Sequence, residues 1–356
     1  MPDALTETGR PIMGDRERDL PRVSCVVISW NRVASVAACV WSLLASDYPE
    51  DRVDVLVADN ASTDGTVDQL RAAFRSEPRV RIASTGGNFL TSGAVNFGLS
   101  SAAGEFVFVL ADDNRVDREC LRRLVRGARA WNAGIAAPKM YYGVGSDRRV
   151  FSYGAKASRY GLPARNPGAG QIDRGQFERD WFPGAVHNAL LIRRDVVATI
   201  GGFDVGNFPM HNEEADFCER ARQRGFRIVT IGTAVLWHNV DPNGEVIRVG
   251  TRDFSLDSPV RAYLNARNRT MYVRIHGTFM HQVIYFAAVF PIMTAAYVVL
   301  LLLTRSYHRS LSAYAHGLWD GINDSILPGP AVIDGSLPVC HTRWTWLYAG
   351  RGRFLG

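Results

Sequence analysis

Two acidic clusters in this sequence have the residue types and spacing that catalysis requires. The first is Asp112-Asp113-Asn114, which directly follows the apolar run FVFVL at 106–110. Adjacent carboxylates repel each other unless they share a cation. Because Mg²⁺ and Mn²⁺ prefer oxygen ligands and leave positions open for phosphate oxygens, the pair predicts a divalent-metal site. A metal held there would stabilise a leaving diphosphate.

The second cluster, Glu213, Glu214 and Asp216, opens the segment EEADFCERARQRG. This segment predicts a helix that begins near Glu213 and carries all three carboxylates in its first turn. The helix dipole stabilises acidic side chains there and accounts for one or two of them. A carboxylate on such a helix, facing a crevice, is a candidate general base. The residues alone leave the choice among the three open.

Two further candidates depend on what lies near them in the fold. His238 follows the apolar segment 228–237, and a lone histidine after a strand is more often structural than a ligand. It gains significance only if it meets Asp112-Asp113 in space. Trp181 opens the segment WFPG, which ends at Gly184. The indole there either belongs to the core or stacks on a sugar face, and the sequence does not separate the two.

The elements that must position these residues alternate between strands and helices. Short apolar runs predict strands at 23–29, 53–58, 80–83 and 106–110, and segments with helical spacing follow the first three. This alternation predicts a Rossmann-like α/β fold with a mostly parallel open sheet and helices on both faces.

Polar residues stand at three of the predicted strand ends: Ser29-Trp30-Asn31, Asp59-Asn60 and Asp112-Asp113. Ligands of such sheets bind beyond the carboxyl ends of the strands. Turn propensity explains Asn31 and Asp59, but it explains the adjacent acids poorly. We therefore expect these side chains to converge on one edge of the sheet.

Composition bounds the alternatives. The chain has 356 residues, 47% hydrophobic and 21% charged, which is typical of a globular protein with one large domain and an appendage or two modest domains. A net charge of +6 is mild and spread along the chain, so it does not indicate nucleic-acid binding. No G-x-G-x-x-G opens the first helix and no P-loop motif occurs, which removes the main support for a dehydrogenase or a P-loop NTPase. The five cysteines form no CxxC pair, so reduced buried thiols are expected.

The two ends of the chain differ in character. Residues 1–22 hold no apolar run, so we expect no signal peptide and a cytosolic catalytic domain. Residues 283–304 carry no charge over 22 positions, about the length a helix needs to cross a bilayer. Basic residues flank the run on both sides and Pro291 lies near its middle, so a single span and a re-entrant or interfacial hairpin both remain open. The hairpin is slightly favoured, because it keeps Arg305 and Arg309 on the anionic leaflet.

Taken in order, the motifs resemble glycosyltransferase family 2, which has the GT-A fold. The resemblance runs from about Val23 to Arg274, and a basic and apolar tail follows that is similar to rhamnosyltransferase-like members associated with membranes. The motifs that carry it are VVISWNR, VLVADNASTDGT, GGNFLTSGAVNFGL, FVLADDNRVD, the segment from IGGFD to RGFRI, and LWHNV. Each motif alone is weak, but the ordered set is specific.

The resemblance implies a role for each motif. By position Glu214 is the general base, with Glu213 and Asp216 as alternatives, and Trp181 and Gly184 belong to an acceptor or sugar loop. Asp113 and His238 hold Mg²⁺ or Mn²⁺. The family's second metal acid is replaced by Asn114, and the usual Glu-Asp pair reads Glu213-Glu214. The implied nucleotide-sugar-binding residues are Ser29, Asn31, Arg32, Asp59, Asn60, Gly87, Asn88, Asn96 and Asp112.

The implied activity is inverting transfer of a sugar from a dTDP- or UDP-sugar, with dTDP-rhamnose favoured, to a hydroxyl of a lipid-linked or cell-surface glycan. The implied location is the inner (plasma) membrane, with the catalytic domain in the cytoplasm. The alternative is a non-catalytic nucleotide-sugar-binding subunit of a membrane glycan synthase. A sugar nucleotidyltransferase would need a glycine-rich basic signature that WNRVAS lacks.

The expected organisation has five parts. An N-terminal extension covers 1–22, a GT-A catalytic domain 23–245, a basic connector 246–281, the C-terminal membrane-associated helices 282–328, and a tail 329–356.

Overall fold

The structure is a computed structural model, and it describes residues 20–143, 147–239, 247–249, 252–254, 258–302 and 307–323. These residues form two compact units. The first comprises the chain up to 158, together with 163–203 and 213–242, and the second comprises 159–162, 204–212 and the chain from 243 onward. Most of the expected N-terminal extension, all of the expected tail and Arg305 lie outside the described residues.

Within the described part of the first unit, nine strands form one sheet in the order β3-β2-β1-β4-β8-β6-β9-β5, with β7 beside β6. Strands β3, β2, β1 and β4 are parallel, while β8 runs antiparallel to β4 and β6. The predicted α/β fold class is therefore confirmed, but the sheet has a parallel half and a mixed half and is less parallel than the sequence predicts, because β8, β7 and β5 enter it antiparallel to their neighbours. The strands are β1 (Val23–Ser29), β2 (Val53–Asp59), β3 (Val80–Ser84), β4 (Phe106–Ala111), β5 (Asn114–Val116), β6 (Ala133–Tyr142), β7 (Val150–Ser152), β8 (Ala189–Arg193) and β9 (Arg227–His238).

Helices cover both faces of this sheet. One face packs against α1, α2 and α4, and the other packs against α3, α5 and α6. Helix α1 packs on the sheet through one apolar stripe, because its buried residues recur at helical spacing: Val36, Cys39, Val40 and Leu43. The helices are α1 (Val33–Leu44), α2 (Thr66–Ala73), α3 (Leu90–Ser101), α4 (Cys120–Ala130), α5 (Arg194–Ile200) and α6 (Glu213–Gln223).

Register places the polar strand ends side by side. Ser29 of β1 pairs with Asp59 of β2, and Ile28 pairs with Ala111 of β4. Because neighbouring parallel strands end at the same level, the residues that follow them share one edge. The ends of β1, β2 and β4 therefore lie together at one edge of the sheet, as the sequence predicts.

The second unit is helical, with a short hairpin of β10 (Ile247–Val249) and β11 (Arg252–Phe254). Its helices are α7 (Pro259–His276), α8 (Phe279–Ile284), α9 (Phe290–Leu302) and α10 (Tyr307–Asn323). The Ser258 side chain caps α7 by accepting a hydrogen bond from the Arg261 N–H, and Pro259 occupies the first turn, where a missing N–H costs nothing.

Helices α8 and α9 are joined by a π-helical turn at Tyr285–Val289, which ends two residues before Pro291. Proline lacks an N–H and clashes with the carbonyl four residues earlier, so the backbone widens there and the helix continues. In the described residues, Phe279–Leu302 is the one helix long and apolar enough to cross a membrane, and only 11% of its apolar window is buried.

Two buried side chains of α7 hold the loop 204–212, which directly precedes α6 in the chain. Arg267 donates to the Asn207 carbonyl at 2.7 Å. Asn268 donates to the carbonyls of Met210 and His211, each at 2.8 Å. His211 has a φ of 64°, in the left-handed region that residues other than glycine rarely adopt. The contacts from α7 therefore support a strained turn at the point where the chain enters α6.

Candidate active site

The ends of β1 and β2 form one hydrogen-bonded rim. Both carboxylate oxygens of Asp59 accept from Ser62, one from its N–H at 2.8 Å and one from its hydroxyl at 2.6 Å. Asn31, at a φ of 52°, donates its N–H to the Ser62 hydroxyl at 2.7 Å and accepts from the Thr63 N–H at 2.8 Å. The Ser29 hydroxyl is buried and has no hydrogen-bond partner within the described part of the chain. Asn31 and Asp59 thus shape the rim, and their side chains are engaged within it.

The rim continues into the glycine-rich segment. The Asn60 amide donates to the Asn88 side chain at 3.0 Å and accepts from the Phe89 N–H at 2.9 Å. Gly86 has a φ of 80°, which allows the chain to turn sharply before Gly87 and Asn88. These contacts bring Asn60, Gly87 and Asn88 to the same edge as Asp59.

The amide of Asn96 is used inside the first unit. Its amide nitrogen donates to the Phe203 carbonyl at 2.9 Å, and its amide oxygen accepts from the Phe203 N–H at 2.7 Å. The side chain is buried and both of its polar atoms are used inside the fold. The structure therefore assigns Asn96 a packing contact between α3 and the segment after α5.

The predicted acidic pair lies at the end of β4 beside two basic side chains. Arg32 lies 3.2 Å from Asp112 Oδ1 and 3.4 Å from Asp113 Oδ2. His238 Nδ1 lies 3.2 Å from Asp113 Oδ1. The condition set for His238, that it meet the acidic pair in space, is met. Arg32, Asp113 and His238 form one cluster although they are far apart in sequence.

The two acids of the pair differ in their surroundings. Burial raises the pKa of Asp112 to about 7, although the Arg32 guanidinium opposes the rise. Burial also favours neutral Asp113, but the neighbouring His238 and Arg32 outweigh it and lower the pKa of that carboxyl. Asp113 is therefore the carboxylate that stays charged, which is what a cation ligand requires.

The arrangement around Asp113 fits a divalent cation. Its Oδ1 is buried and accepts no hydrogen bond of normal geometry from any described residue. A carboxylate oxygen and an imidazole nitrogen are ligand types that Mn²⁺ accepts in proteins, and Mg²⁺ suits the carboxylate. Among the described residues no three His, Cys, Asp or Glu side chains converge on one point, so Asp113 and His238 would make only part of a coordination sphere.

Asn114, which stands where the family often has a second acid, has a structural position. Asn114 of β5 pairs with His238 of β9 in the antiparallel ladder between these strands. Its amide donates to the carbonyls of Ala111 and Asn188, at 3.2 Å and 3.4 Å. The side chain is fully buried, and it closes the turn that presents Asp112-Asp113.

Helix α6 begins at Glu213, as the sequence predicts, and its acids have three different environments. Glu214 Oε1 accepts from the Asn188 N–H at 2.5 Å, and burial raises the pKa of Glu214 to about 7. Burial and the neighbouring Glu214 raise the pKa of Glu213 well above its usual value, and its Oε2 has no partner among the described residues. Asp216 forms an ion pair with Arg220 at 2.8 Å. A general base works best with a pKa near the operating pH, and Glu214 has the environment that gives one.

The Trp181 segment belongs to the packing of the first unit. The indole N–H donates to the Tyr153 carbonyl, and the ring stacks on Tyr153 with a centroid distance of 5.8 Å. The backbone of Trp181 pairs with Thr230 of β9. The ring is partly buried against Tyr141, Val150 and Tyr153, which favours the packing role for it. Gly184 is half-buried on the same loop.

Residues 24–201, half of the chain, match the family described as Glycosyl transferase family 2. The chain belongs to this family. The predicted resemblance is confirmed, and the match contains the rim residues, the acidic pair and Asn188, whereas α6 and His238 lie beyond its end.

Curated relatives in family 2 differ in how much of their length they share with this chain. The succinoglycan biosynthesis protein ExoO of Rhizobium meliloti is 34% identical over 121 residues, which are 34% of each protein. The N-acetylglucosaminyl-diphospho-decaprenol L-rhamnosyltransferase of Mycobacterium tuberculosis is 30% identical over 220 residues, 55% of this chain and 68% of the relative. The family 2 chain thus spans about a third of the first relative and about two thirds of the second.

Among solved structures, the mannosyltransferase PcManGT from Pyrobaculum calidifontis, in complex with GDP-Man and Mn²⁺, has a TM-score of 0.53. It is 16% identical, and the match covers 87% of this chain and 89% of that one. At this identity the likeness establishes the fold alone. It confirms that the family 2 chain has the GT-A architecture.

One residue of the site, Asn188, is not among those the motifs predict. It lies directly before β8, and because β8 runs antiparallel to β4, its start lies at the edge where β4 ends. Its N–H donates to Glu214 and its amide lies 2.9 Å from His238 Nδ1. The polar dipeptide His187-Asn188 before an apolar strand was the available signal, but the direction of β8 cannot be deduced from the sequence.

Proposed function

We propose that this chain is an inverting glycosyltransferase that moves a sugar from a dTDP- or UDP-sugar to a hydroxyl of a lipid-linked or cell-surface glycan. One observation carries the proposal. A candidate base, Glu214, and a candidate diphosphate end, Asp113 with His238, are joined through Asn188 within a single site. A base and a cation-binding carboxylate at one strand edge are what direct displacement of a nucleoside diphosphate requires.

The reaction is a single displacement. Glu214 accepts the proton of the acceptor hydroxyl, and the oxygen forms a bond to the anomeric carbon on the face opposite the diphosphate. The bond from that carbon to the diphosphate oxygen breaks, and its electron pair leaves with the nucleoside diphosphate. One displacement inverts the anomeric configuration, so no covalent enzyme intermediate is needed.

The leaving group gathers negative charge, and the residues around it are suited to that charge. Asp113 and His238 are the side chains that would hold Mg²⁺ or Mn²⁺, which when bound supplies positive charge to the diphosphate. The Arg32 guanidinium, within 3.4 Å of both acids, provides a second positive group at the same place. Ser29, Asn31, Asp59, Asn60, Gly87, Asn88 and Asp112 line the nucleotide end. Asn96 is left out because its amide is engaged on Phe203.

A deoxyhexose donor such as dTDP-rhamnose and a polyprenyl-diphosphate acceptor are favoured, since the mycobacterial relative is a rhamnosyltransferase for a decaprenol-linked sugar. The decisive experiment incubates the full chain with a panel of nucleotide sugars and a polyprenyl-diphosphate N-acetylglucosamine acceptor, with and without Mn²⁺. We expect release of one nucleoside diphosphate and formation of a glycosylated lipid. Donor binding without any turnover over the whole panel would favour the non-catalytic subunit.

The pH dependence of kcat/KM should have an acid limb near pH 7. A base must be deprotonated to accept a proton, and with a Glu214 pKa of about 7 the active fraction falls about tenfold per pH unit below it. Initial rates between pH 5 and 9, at acceptor concentrations well below KM, measure this limb. Asp112 also has a pKa raised to about 7, so Asp112→Asn is the control. A limb that persists in Asp112→Asn belongs to Glu214, and one that disappears there contradicts the assignment.

The packing of the apolar helix within the second unit supports the proposed membrane attachment. Tyr285 shares a hydrogen bond of 2.8 Å with Thr270 of α7, and the ring of Tyr297 lies 4.2 Å under the Arg269 guanidinium. Leu301 clusters with Ala262 and Ala266 near the start of α7. The helix that leaves the end of α7 therefore folds back along α7 towards its beginning.

Helix α10 returns to α7 as well. A Cβ at Gly317 would lie 2.3 Å from the Tyr263 carbonyl oxygen, so only glycine permits this approach. The Tyr263 hydroxyl donates to Asp320 at 2.6 Å. Helix α7 carries four arginines, which hydrocarbon excludes. We propose that the apolar helix lies on the leaflet and does not cross it, which the packing of both its ends beside α7 supports.

Exposed apolar side chains form the surface that would enter the leaflet, including Phe279 at 80% and Ile292 at 66% exposed. The enzyme accordingly works at the cytoplasmic face of the plasma membrane.

We expect purified full chain to float with anionic vesicles and a fluorescent reporter fused after Gly356 to fold in the bacterial cytosol. Replacing both Phe279 and Ile292 by Glu should abolish flotation, while Trp41→Glu, an exposed aromatic of the first unit, should not. Export of the reporter would refute the interfacial arrangement. A soluble full chain that does not bind to the vesicles would refute membrane attachment.

A further inference from the structure

Asn188 contacts three separate parts of the site. Its N–H donates to Glu214 at 2.5 Å and its amide nitrogen lies 2.9 Å from His238 Nδ1. Its carbonyl accepts from the Ala111 N–H and from the Asn114 amide, each at 3.4 Å. One residue therefore joins the start of α6, the end of β9 and the end of β4.

The backbone of Asn188 makes this possible. Its φ is 69°, in the left-handed region that asparagine and glycine tolerate and that a β-carbon makes unfavourable for most other residues. In this conformation the N–H points to α6 while the side chain reaches β9. The backbone conformation serves the Glu214 contact, and the side chain serves the His238 contact.

The two contacts act on different parts of the proposed chemistry. A hydrogen bond from a backbone N–H fixes one oxygen of Glu214 and leaves the other to accept a proton. The contact between the amide and Nδ1 fixes the orientation of the imidazole, and with it the 3.2 Å approach of His238 Nδ1 to Asp113 Oδ1.

We infer that Asn188 is a positioning residue that sets the general base through its backbone and the metal-side histidine through its amide. The inference rests on the proposed function and adds that the backbone and the side chain of one residue have separate roles in it. Asn188 itself touches neither the sugar nor the proton in transfer. Substitutions can therefore separate the two effects.

The test uses two substitutions and a matched pair of controls. Asn188→Gly keeps the left-handed backbone and the N–H on Glu214 but removes the amide from His238. Asn188→Ala removes the amide and also opposes the left-handed backbone. Asn132, at a φ of 47° in the turn before β6, is another left-handed asparagine, and its side chain accepts from Arg193 at the opposite end of β8 from Asn188. Both Asn132→Gly and Asn132→Ala lose this hydrogen bond, so the difference between them reports the cost of the left-handed backbone conformation.

Two measurements read the two effects. Calorimetric titration of UDP and dTDP with and without Mn²⁺ gives the metal-linked gain in affinity, and steady-state rates give kcat. For Asn188→Gly we expect the Mn²⁺-linked gain to fall about 10- to 100-fold, as is usual when a metal ligand loses its supporting partner, with little change in metal-free affinity. For Asn188→Ala we expect the same loss of the gain and a further fall in kcat.

The outcomes separate this inference from the proposed function. A wild-type Mn²⁺-linked gain in Asn188→Gly would overturn the inference while leaving an active enzyme. Equal kcat for the Gly and Ala variants would overturn the backbone half of it. If kcat and the Mn²⁺-linked gain fall only in proportion to a lowered melting temperature, as expected for the Asn132 pair, Asn188 is a structural residue and the inference is wrong. A wild-type chain without turnover or metal-linked affinity would instead defeat the proposed function, and the role of Asn188 with it.

Discussion

Replacing Glu214 by Gln is expected to lower kcat by about 10²–10⁴-fold, the usual cost of removing a general base. The amide keeps the size of the side chain and can still accept the Asn188 hydrogen bond through its oxygen. It cannot accept the proton of the acceptor hydroxyl. Donor affinity should therefore stay nearly unchanged, and single-turnover rates together with calorimetric titration of the nucleotide sugar measure the two quantities.

The neighbouring acids provide the controls for this result. Glu213 is buried and holds its proton because of that burial and of Glu214, so Glu213→Gln should retain most of the activity. Asp216→Asn breaks the ion pair with Arg220 and should lower stability more than kcat. Normal turnover in Glu214→Gln together with a large loss in Glu213→Gln would move the base to Glu213.

Replacing Asp113 by Ala is expected to remove most of the Mn²⁺-linked gain in nucleoside-diphosphate affinity. Asp113 offers the carboxylate oxygen that lacks a normal hydrogen bond, and its pKa is held below the usual value, so it is charged throughout the working range. Without it, His238 alone cannot hold a hard divalent cation. Titrating UDP or dTDP into the variant, with and without Mn²⁺, measures the loss.

Asp112→Ala is the matched control for the second result. Asp112 is paired with Arg32 and has a pKa raised to about 7, so it is the weaker candidate for a cation. We expect this variant to keep a substantial part of the metal-linked gain. If Asp113→Ala keeps the full gain and Asp112→Ala loses it, the cation is bound by the other acid of the pair.

The parts of the site that lie at parallel strand ends were predictable from the sequence. Ser29, Asp59 and Asp112 follow apolar runs, and neighbouring parallel strands end at one level, so local patterns were sufficient to bring them together. The start of α6 was equally readable, because three acids in a first turn mark a helix N-terminus.

The remaining contacts depend on long-range pairing that no local pattern encodes. Asn188 and His238 are 50 residues apart, and they meet because β8 enters the sheet antiparallel between β4 and β6. Asn96 was expected at the nucleotide because of its motif, yet its amide is used on Phe203, 107 residues away. The apolar run at 283–304 was evident, but its return along α7 is decided by individual contacts such as that between Tyr285 and Thr270.

The support that α7 gives to the loop 204–212 has a consequence for the order in which a nascent chain can mature. Asn268 lies 57 residues after His211, whose carbonyl it holds. At a translation rate of roughly 5–20 residues per second, the strained turn before α6 waits roughly 3–11 s for its partner to be made. During that interval the sheet can already assemble, but the entrance to the helix that carries Glu214 is unsupported. Synthesis of α7 is therefore a late step in the maturation of this turn. We expect a chain interrupted before α7 to fold its sheet, while the turn at His211 and Asn212 lacks the hydrogen bonds that α7 would donate.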